Sequence, residues 1–158
     1  MKCWLPKRCG DPRRPWSKPV NQGFQNVYDL VIEEKPLYLH ARVSGTHNEQ
    51  NAHRFLVDVH EAWVERNCSA VLLEMNFSGP SLSTISIFNV ISDRAPHAVG
   101  LRRIAYVDGG SGHDSDQARF AETVARNRGV NVRLFGTVDD AECWLRELAV
   151  QEERAVFA

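Results

Sequence analysis

At 158 residues the chain has the length of one domain, and 43% hydrophobic with 25% charged residues is an ordinary globular composition. No run approaches the roughly 18 apolar residues of a membrane span, and the charged N-terminus lacks the apolar core of a signal peptide. The net charge of −1 is unevenly spread, since residues 1–26 carry Lys2, Lys7, Arg8, Arg13, Arg14 and Lys18 against Asp11 alone, leaving an acidic remainder. Nucleic-acid binding would therefore have to rest on the arm and is disfavoured for the body. Cys3, Cys9, Cys68 and Cys143 show no CxxC spacing. A reduced, cytoplasmic setting is the simplest account, with Cys68 and Cys143 as small core residues and no pairing required between Cys3 and Cys9.

Residues 1–26 hold four prolines and no period, and read as an irregular basic arm. Trp4, Trp16 and Phe24 suit docking on the body or on a second subunit. Residues 27–33 and 37–44 alternate and form an antiparallel hairpin across Glu34-Lys35-Pro36. The second strand puts Leu37, Leu39, Ala41 and Val43 on one face and Tyr38, His40, Arg42 and Ser44 on the other. After Gly45, Thr46 and Glu49 fit a capping box. Ala52, Phe55, Leu56, Val59 and Trp63 then mark the buried stripe of a helix ending near Arg66.

The central stretch 71–88 reads VLLEMNFSGPSLSTISIF. Val71, Leu73, Met75 and Phe77 make one strand face uniformly apolar. On the other, Ala70 and Leu72 give way to Glu74 and Asn76. Gly79-Pro80 breaks the strand, and Ile85, Ile87, Phe88 and Ile91 carry a helix ending near Ala95-Pro96. A strand at 102–107, a loop Asp108-Gly109-Gly110-Ser111-Gly112 and a capping pattern at 114–117 follow. The next helix buries Ala118, Ala121, Val124 and Ala125 and stops at Gly129. A last strand spans 130–135, and a last helix from Thr137-Val138-Asp139-Asp140 buries Ala141, Trp144, Leu145 and Leu148. Residues 151–158 read as a frayed tail.

The order β-β-α-β-α-β-α-β-α predicts a five-stranded mixed α/β sheet, parallel after the hairpin. Strands side by side in chain order make every crossover step the same way. The domain is then singly wound over 27–150, with helices mainly on one face. Tyr38, His40, Arg42, Glu74, Asn76 and Arg133 would occupy the uncovered face.

Candidate chemistry gathers where the strands deliver their carboxyl ends. Ser81 or Ser83 can cap the helix that follows, and a helix N-terminus also favours a phosphate. The loop at 108–112 can wrap an anion with backbone N–H groups, but it matches neither nucleotide-binding glycine pattern. The predicted ligand or partner surface comprises Ser78, Gly79, Ser81, Ser83, Gly109, Gly110, Ser111 and His113. No metal or cofactor is expected: His53 and His60 are seven residues apart on one helix, about 10.5 Å along its axis, and no HxxxH or HExxH occurs. Nor does a GxSxG elbow accompany the serines.

The hairpin ending LHARVSG, the segment VLLEMNFSGPSLST, and RRIAYVDGG followed by NVRLFGT and DDAECWL resemble the STAS family, in its SpoIIAA-like branch. The resemblance spans about residues 27–150 and implies the same singly wound fold. It also implies a regulatory, non-catalytic module docking on a protein partner such as a regulatory kinase or an anti-sigma-like factor. The family's phosphorylated hydroxyl falls on Ser83, with Thr84 beside it. Leu82 stands where the family carries an aspartate.

Two functions follow as expectations. The first is a protein-interaction module gated by phosphate on Ser83. The alternative is a small-molecule or lipid carrier of the same fold, with its ligand between the 78–83 turn and the 109–113 loop. An enzyme would need a titratable cluster at the strand ends that the sequence does not display. The half-polar sheet face and the aromatic arm leave room for a homodimer.

Overall fold

The computed structural model describes residues 16–17, 28–98, 100–109 and 115–156. Expectations for most of the 1–26 arm, including Cys3, Cys9, Trp4 and Phe24, lie outside these residues, as do Gly110, Ser111, His113 and the Leu148 side chain. Among the described residues the strands are β1 (Trp16–Ser17), β2 (Tyr28–Glu34), β3 (Leu39–Thr46), β4 (Ala70–Ser78), β5 (Arg103–Asp108) and β6 (Val132–Phe135). The helices are α1 (Glu49–Glu65), α2 (Thr84–Ala98), α3 (Ser115–Asn127) and α4 (Val138–Val156).

The strands lie in chain order in one sheet, β1-β2-β3-β4-β5-β6. The first two pairings are antiparallel and the rest parallel. This is the predicted singly wound mixed sheet, with one strand more than expected. Trp16 and Ser17, placed by sequence in an irregular arm, pair with Ile32 and Val31. That contact gives β2 a partner along part of what would otherwise be an open edge.

The larger core lies between one sheet face and α1, α2 and α3. Leu39, Ala41, Val43, Val71, Phe77 and Ile104 meet Ala52, Phe55, Val59, Val90 and Ala125 there. The fourth helix departs from the one-sided expectation. Its Ala141 and Leu145 pack on Tyr38, Ala70, Leu72, Ala105 and Val107 on the opposite face. The cause is legible in β4, whose second face is apolar only at its start. The α4 stripe takes that apolar half, and the polar half with Glu74 and Asn76 stays outside it. Tyr38 and His40, predicted on an uncovered face, are 2% and 5% exposed. Tyr38 donates a 2.6 Å hydrogen bond to Glu142 of α4. Buried Arg103 donates to the Leu145 carbonyl at 3.1 Å, tying α4 to the start of β5. Leu37 also joins the α4 side instead of the inner face, because β3 begins at Leu39 and alternation does not reach back through the bend.

Helix ends carry further corrections. The α1 cap is Asn48, whose side chain accepts from the Asn51 N–H at 2.7 Å, and Thr46 still belongs to β3. Its C-terminus closes with Asn67 at φ 54°, with Cys68 N–H bonding to the Trp63 carbonyl and Asn67 N–H to Val64. The same paired closure ends α3 at Gly129, as the sequence suggested. Pro96 lies inside α2, which continues to Ala98, and α4 runs to Val156 where a frayed tail was expected. Cys68 is buried as expected but disulfide-bonded, contrary to the reduced thiol the spacing suggested. Cys143 is free and exposed, contrary to a core role, since it falls two positions from Ala141 and turns away from the buried stripe.

Candidate functional site

Between β4 and α2 the chain must turn from sheet to helix over five residues, 79–83. Gly79 adopts φ +99°, a conformation that glycine accepts without a Cβ penalty. Ser78 is anchored to β3: its carbonyl accepts from His47 N–H at 2.8 Å and its hydroxyl donates to the Gly45 carbonyl at 3.2 Å. The His47 ring stacks on Phe77, centroids 5.2 Å apart. Ser83 is the α2 cap. Its hydroxyl oxygen accepts from the Ser86 N–H at 3.1 Å, and the hydroxyl donates to Ser86 Oγ at 3.0 Å. Ser83 and Thr84 are exposed, as are Ser78 and Gly79, while Ser81 is half-buried.

The stripe predicted for α2 is rotated. Ile87 and Val90 face the core with Ile91, whereas Ile85 and Phe88 are 73% and 44% exposed. The helix is apolar on more than one side, so the period alone could not say which stripe the core takes. The Arg128 guanidinium lies 4.7 Å from the Phe88 ring centroid. Ile85 and Phe88, three residues apart, form an apolar step beside the exposed Ser83 and Thr84.

Under the turn, between the sheet and helices α1 to α3, lies a cavity of about 120 Å3. Its apolar wall includes Phe55 and Leu56 of α1, Leu73 and Met75 of β4, and Ile87 and Val90 of α2. The helix α3 contributes Ala118, Ala121 and Ala125. Close packing is the rule in protein interiors, and here the small alanines of α3 fail to fill the space that the larger residues of α1 and α2 leave. The polar residues on the wall are His47, Tyr106, Asp108, Gln117 and Glu122. Burial, and then the Asp108 charge, push the Tyr106 hydroxyl well above its ordinary value, so it stays protonated and can donate. Glu122 already accepts from the Leu134 N–H at 3.0 Å.

Ser78, Ser81 and Ser83 do not line this cavity, and residues 110–113 of the second predicted segment lie outside the described residues. Leu82 of the turn and Asp108 at the end of β5 reach the same cavity. Gly109 N–H bonds to the Met75 carbonyl at 2.9 Å, and a Cβ at Gly109 would collide with the Asn76 side-chain oxygen. The residues that sequence reasoning missed are Tyr106 and the helical wall. The available signal was the alanine series of α3, which reads as a core stripe and gives no sign of a gap behind it.

The outer sheet face holds a separate polar cluster. His40 Nε2 lies 2.8 Å from Glu74 Oε2, Arg42 Nε lies 3.1 Å from the same oxygen, and Asn76 donates to Oε1 at 3.3 Å. Burial alone would raise the Glu74 carboxyl, but the bonds from Arg42, His40 and Asn76 outweigh it and hold the group below its usual value. Among the described residues no group of His, Cys, Asp and Glu is arranged to hold a metal ion. None of their helices is long and apolar enough to cross a membrane.

No protein-family model and no curated protein matches the chain. Among solved structures it is similar to an uncharacterised protein of the DUF3478 family from Shewanella loihica PV-4, described as having a SpoIIAA-like fold. The identity is 15%, the match covers 78% of this chain and 98% of the other, and the TM-score is 0.48.

Proposed function

We propose that the chain is a non-catalytic binding module that holds a small, largely apolar molecule between its sheet and helices α1 to α3. The observation that carries this reading is the cavity of about 120 Å3, mainly apolar in lining, with a few polar groups from the carboxyl ends of β3 and β5 and from α3. That combination is the usual form of a small-ligand site, and that edge is where open α/β sheets take their ligands. A cavity of about 150 Å3 with a similar lining accepts benzene, so the occupant is of single-ring or short-chain size. The Tyr106 hydroxyl is its natural hydrogen-bond donor. The test is isothermal titration of the purified chain with 1-octanol, alongside native mass spectrometry. Saturable one-to-one binding supports the reading; uptake that never saturates overturns it.

A second reading is favoured by the exposed pair Ile85 and Phe88. In it, the first turns of α2 dock on a regulatory protein, as the family resemblance implies. Phosphate on Ser83 would place about −1.5 to −2 charges beside that apolar step and weaken docking. Comparing Ser83→Asp with wild type against a captured partner tests the gate, and equal binding would count against it.

A further inference from the structure

A second cavity of about 60 Å3 lies between α1 and α2, towards the amino ends of the strands, and shares Leu56 and Leu73 with the first. Its lining is unlike the first in charge. His60 of α1 and Arg94 and His97 of α2 line it. The His60 and His97 ring centroids are 5.5 Å apart, and His60 also meets Trp63 edge-on at 5.2 Å. Arg94 Nε is buried and, among the described residues, has no hydrogen-bond partner. The sheet wall opposite offers only Val71, Leu73, Leu101 and Ile104. A buried guanidinium nitrogen left without an acceptor is costly, and an anion bound there would relieve that cost. Burial, then the Arg94 and His97 charges, lower the His60 value, while Glu61 is the one carboxylate that raises it. The cluster is thus short of negative charge.

We propose that Arg94, with His60 and His97, binds the carboxylate of an amphiphilic acid whose hydrocarbon tail passes Leu56 and Leu73 into the larger cavity. Arginine suits this role, because its planar fork matches a carboxylate with two parallel hydrogen bonds. Leu56 and Leu73 are apolar, partly buried and line both cavities, so these side chains stand between the two and would turn aside to let the tail through. The inference rests on the cavity reading above and adds the class of ligand: a monocarboxylate with a short alkyl or aryl tail.

Isothermal titration of the full chain with sodium octanoate and with 1-octanol tests it, since the two share a tail and differ in head. Octanoate is expected to bind about tenfold or more tightly than octanol, the worth of one charge-assisted pair. Arg94→Met is expected to remove that preference, octanoate falling to within about twofold of octanol. His97→Asn, at an exposed position, is a second variant expected to narrow the preference severalfold. Equal binding of acid and alcohol, or an unchanged preference in both variants, overturns the carboxylate site and leaves the apolar cavity standing. Binding of neither compound overturns both.

Discussion

Replacing Ala118 by leucine puts the cavity itself to the test. Ala118 is buried on α3 and lines the space of about 120 Å3. Unfilled space of this kind costs about 24 cal/mol per Å3, so the whole cavity carries about 3 kcal/mol. Leucine adds three carbons. At about 0.8 kcal/mol for each buried CH2, and with about 0.5–1 kcal/mol lost in rotamer freedom, the net gain is about 1.5 kcal/mol. For a chain of this length that corresponds to a rise in Tm of about 3–6 °C. Urea denaturation should show a higher midpoint at an unchanged slope. The same variant should lose at least tenfold in 1-octanol affinity, because the added side chain occupies the site. A loss of stability of about 1–3 kcal/mol would mean that the leucine is overpacked and the space is not there. Higher stability with undiminished octanol binding would place the ligand elsewhere. Either result refutes the reasoning.

Tyr38→Phe removes the 2.6 Å bond to Glu142 and should lower stability by about 1 kcal/mol through looser docking of α4, read by denaturant unfolding. Ser83→Ala removes the cap of α2 and should cost about 1 kcal/mol, whereas Ser83→Asp restores the acceptor and should unfold near wild type. Loss of partner binding in Ser83→Asp would then report charge, not unfolding. The Glu74 carboxyl is held below its ordinary value of 4.5 in the folded state. Its contribution is therefore complete above about pH 4.5 and is lost as pH falls through the lower folded value. Glu74→Gln should flatten the acid limb of a stability profile measured by urea unfolding from pH 3 to 6. An unchanged limb would show that the cluster with Arg42, His40 and Asn76 is not coupled to folding.

Much of the architecture was legible because it is written in periods. Alternation placed β2 to β6 within a few residues, and the Ala52, Phe55, Val59 stripe of α1 is buried as read. Errors arose where the local signal was ambiguous. On α2, Ile85 and Phe88 are as apolar as Ile87 and Val90, so the choice of stripe belonged to the sheet and to α1 and α3, not to the helix. At α1, Thr46 and Asn48 are both good caps. The backbone hydrogen bond that closes β3 onto Ser78 decided between them.

The candidate site was legible only as an address. The chain order, the turn at 78–83 and the end of β5 point to one sheet edge, and Leu82 and Asp108 do meet there. The cavity is a different kind of fact. It is a shortfall of volume between side chains contributed by β4, β5, α1, α2 and α3, and no local pattern records a volume that distant segments leave unfilled. The same holds for His60, Arg94 and His97, which α1 and α2 bring together only because both pack on the same sheet face.

By itself the sequence determined the alternation of strands and helices, the parallel run after the hairpin and the half-apolar second face of β4, because each follows from periodicity and residue type along a short span. Tertiary packing alone decided that α4 takes that second face, that Trp16 and Ser17 extend the sheet, and that a cavity bordered by polar groups lies beneath the Ser78–Ser83 turn. Those outcomes depend on how segments far apart in the chain fill one another's surfaces.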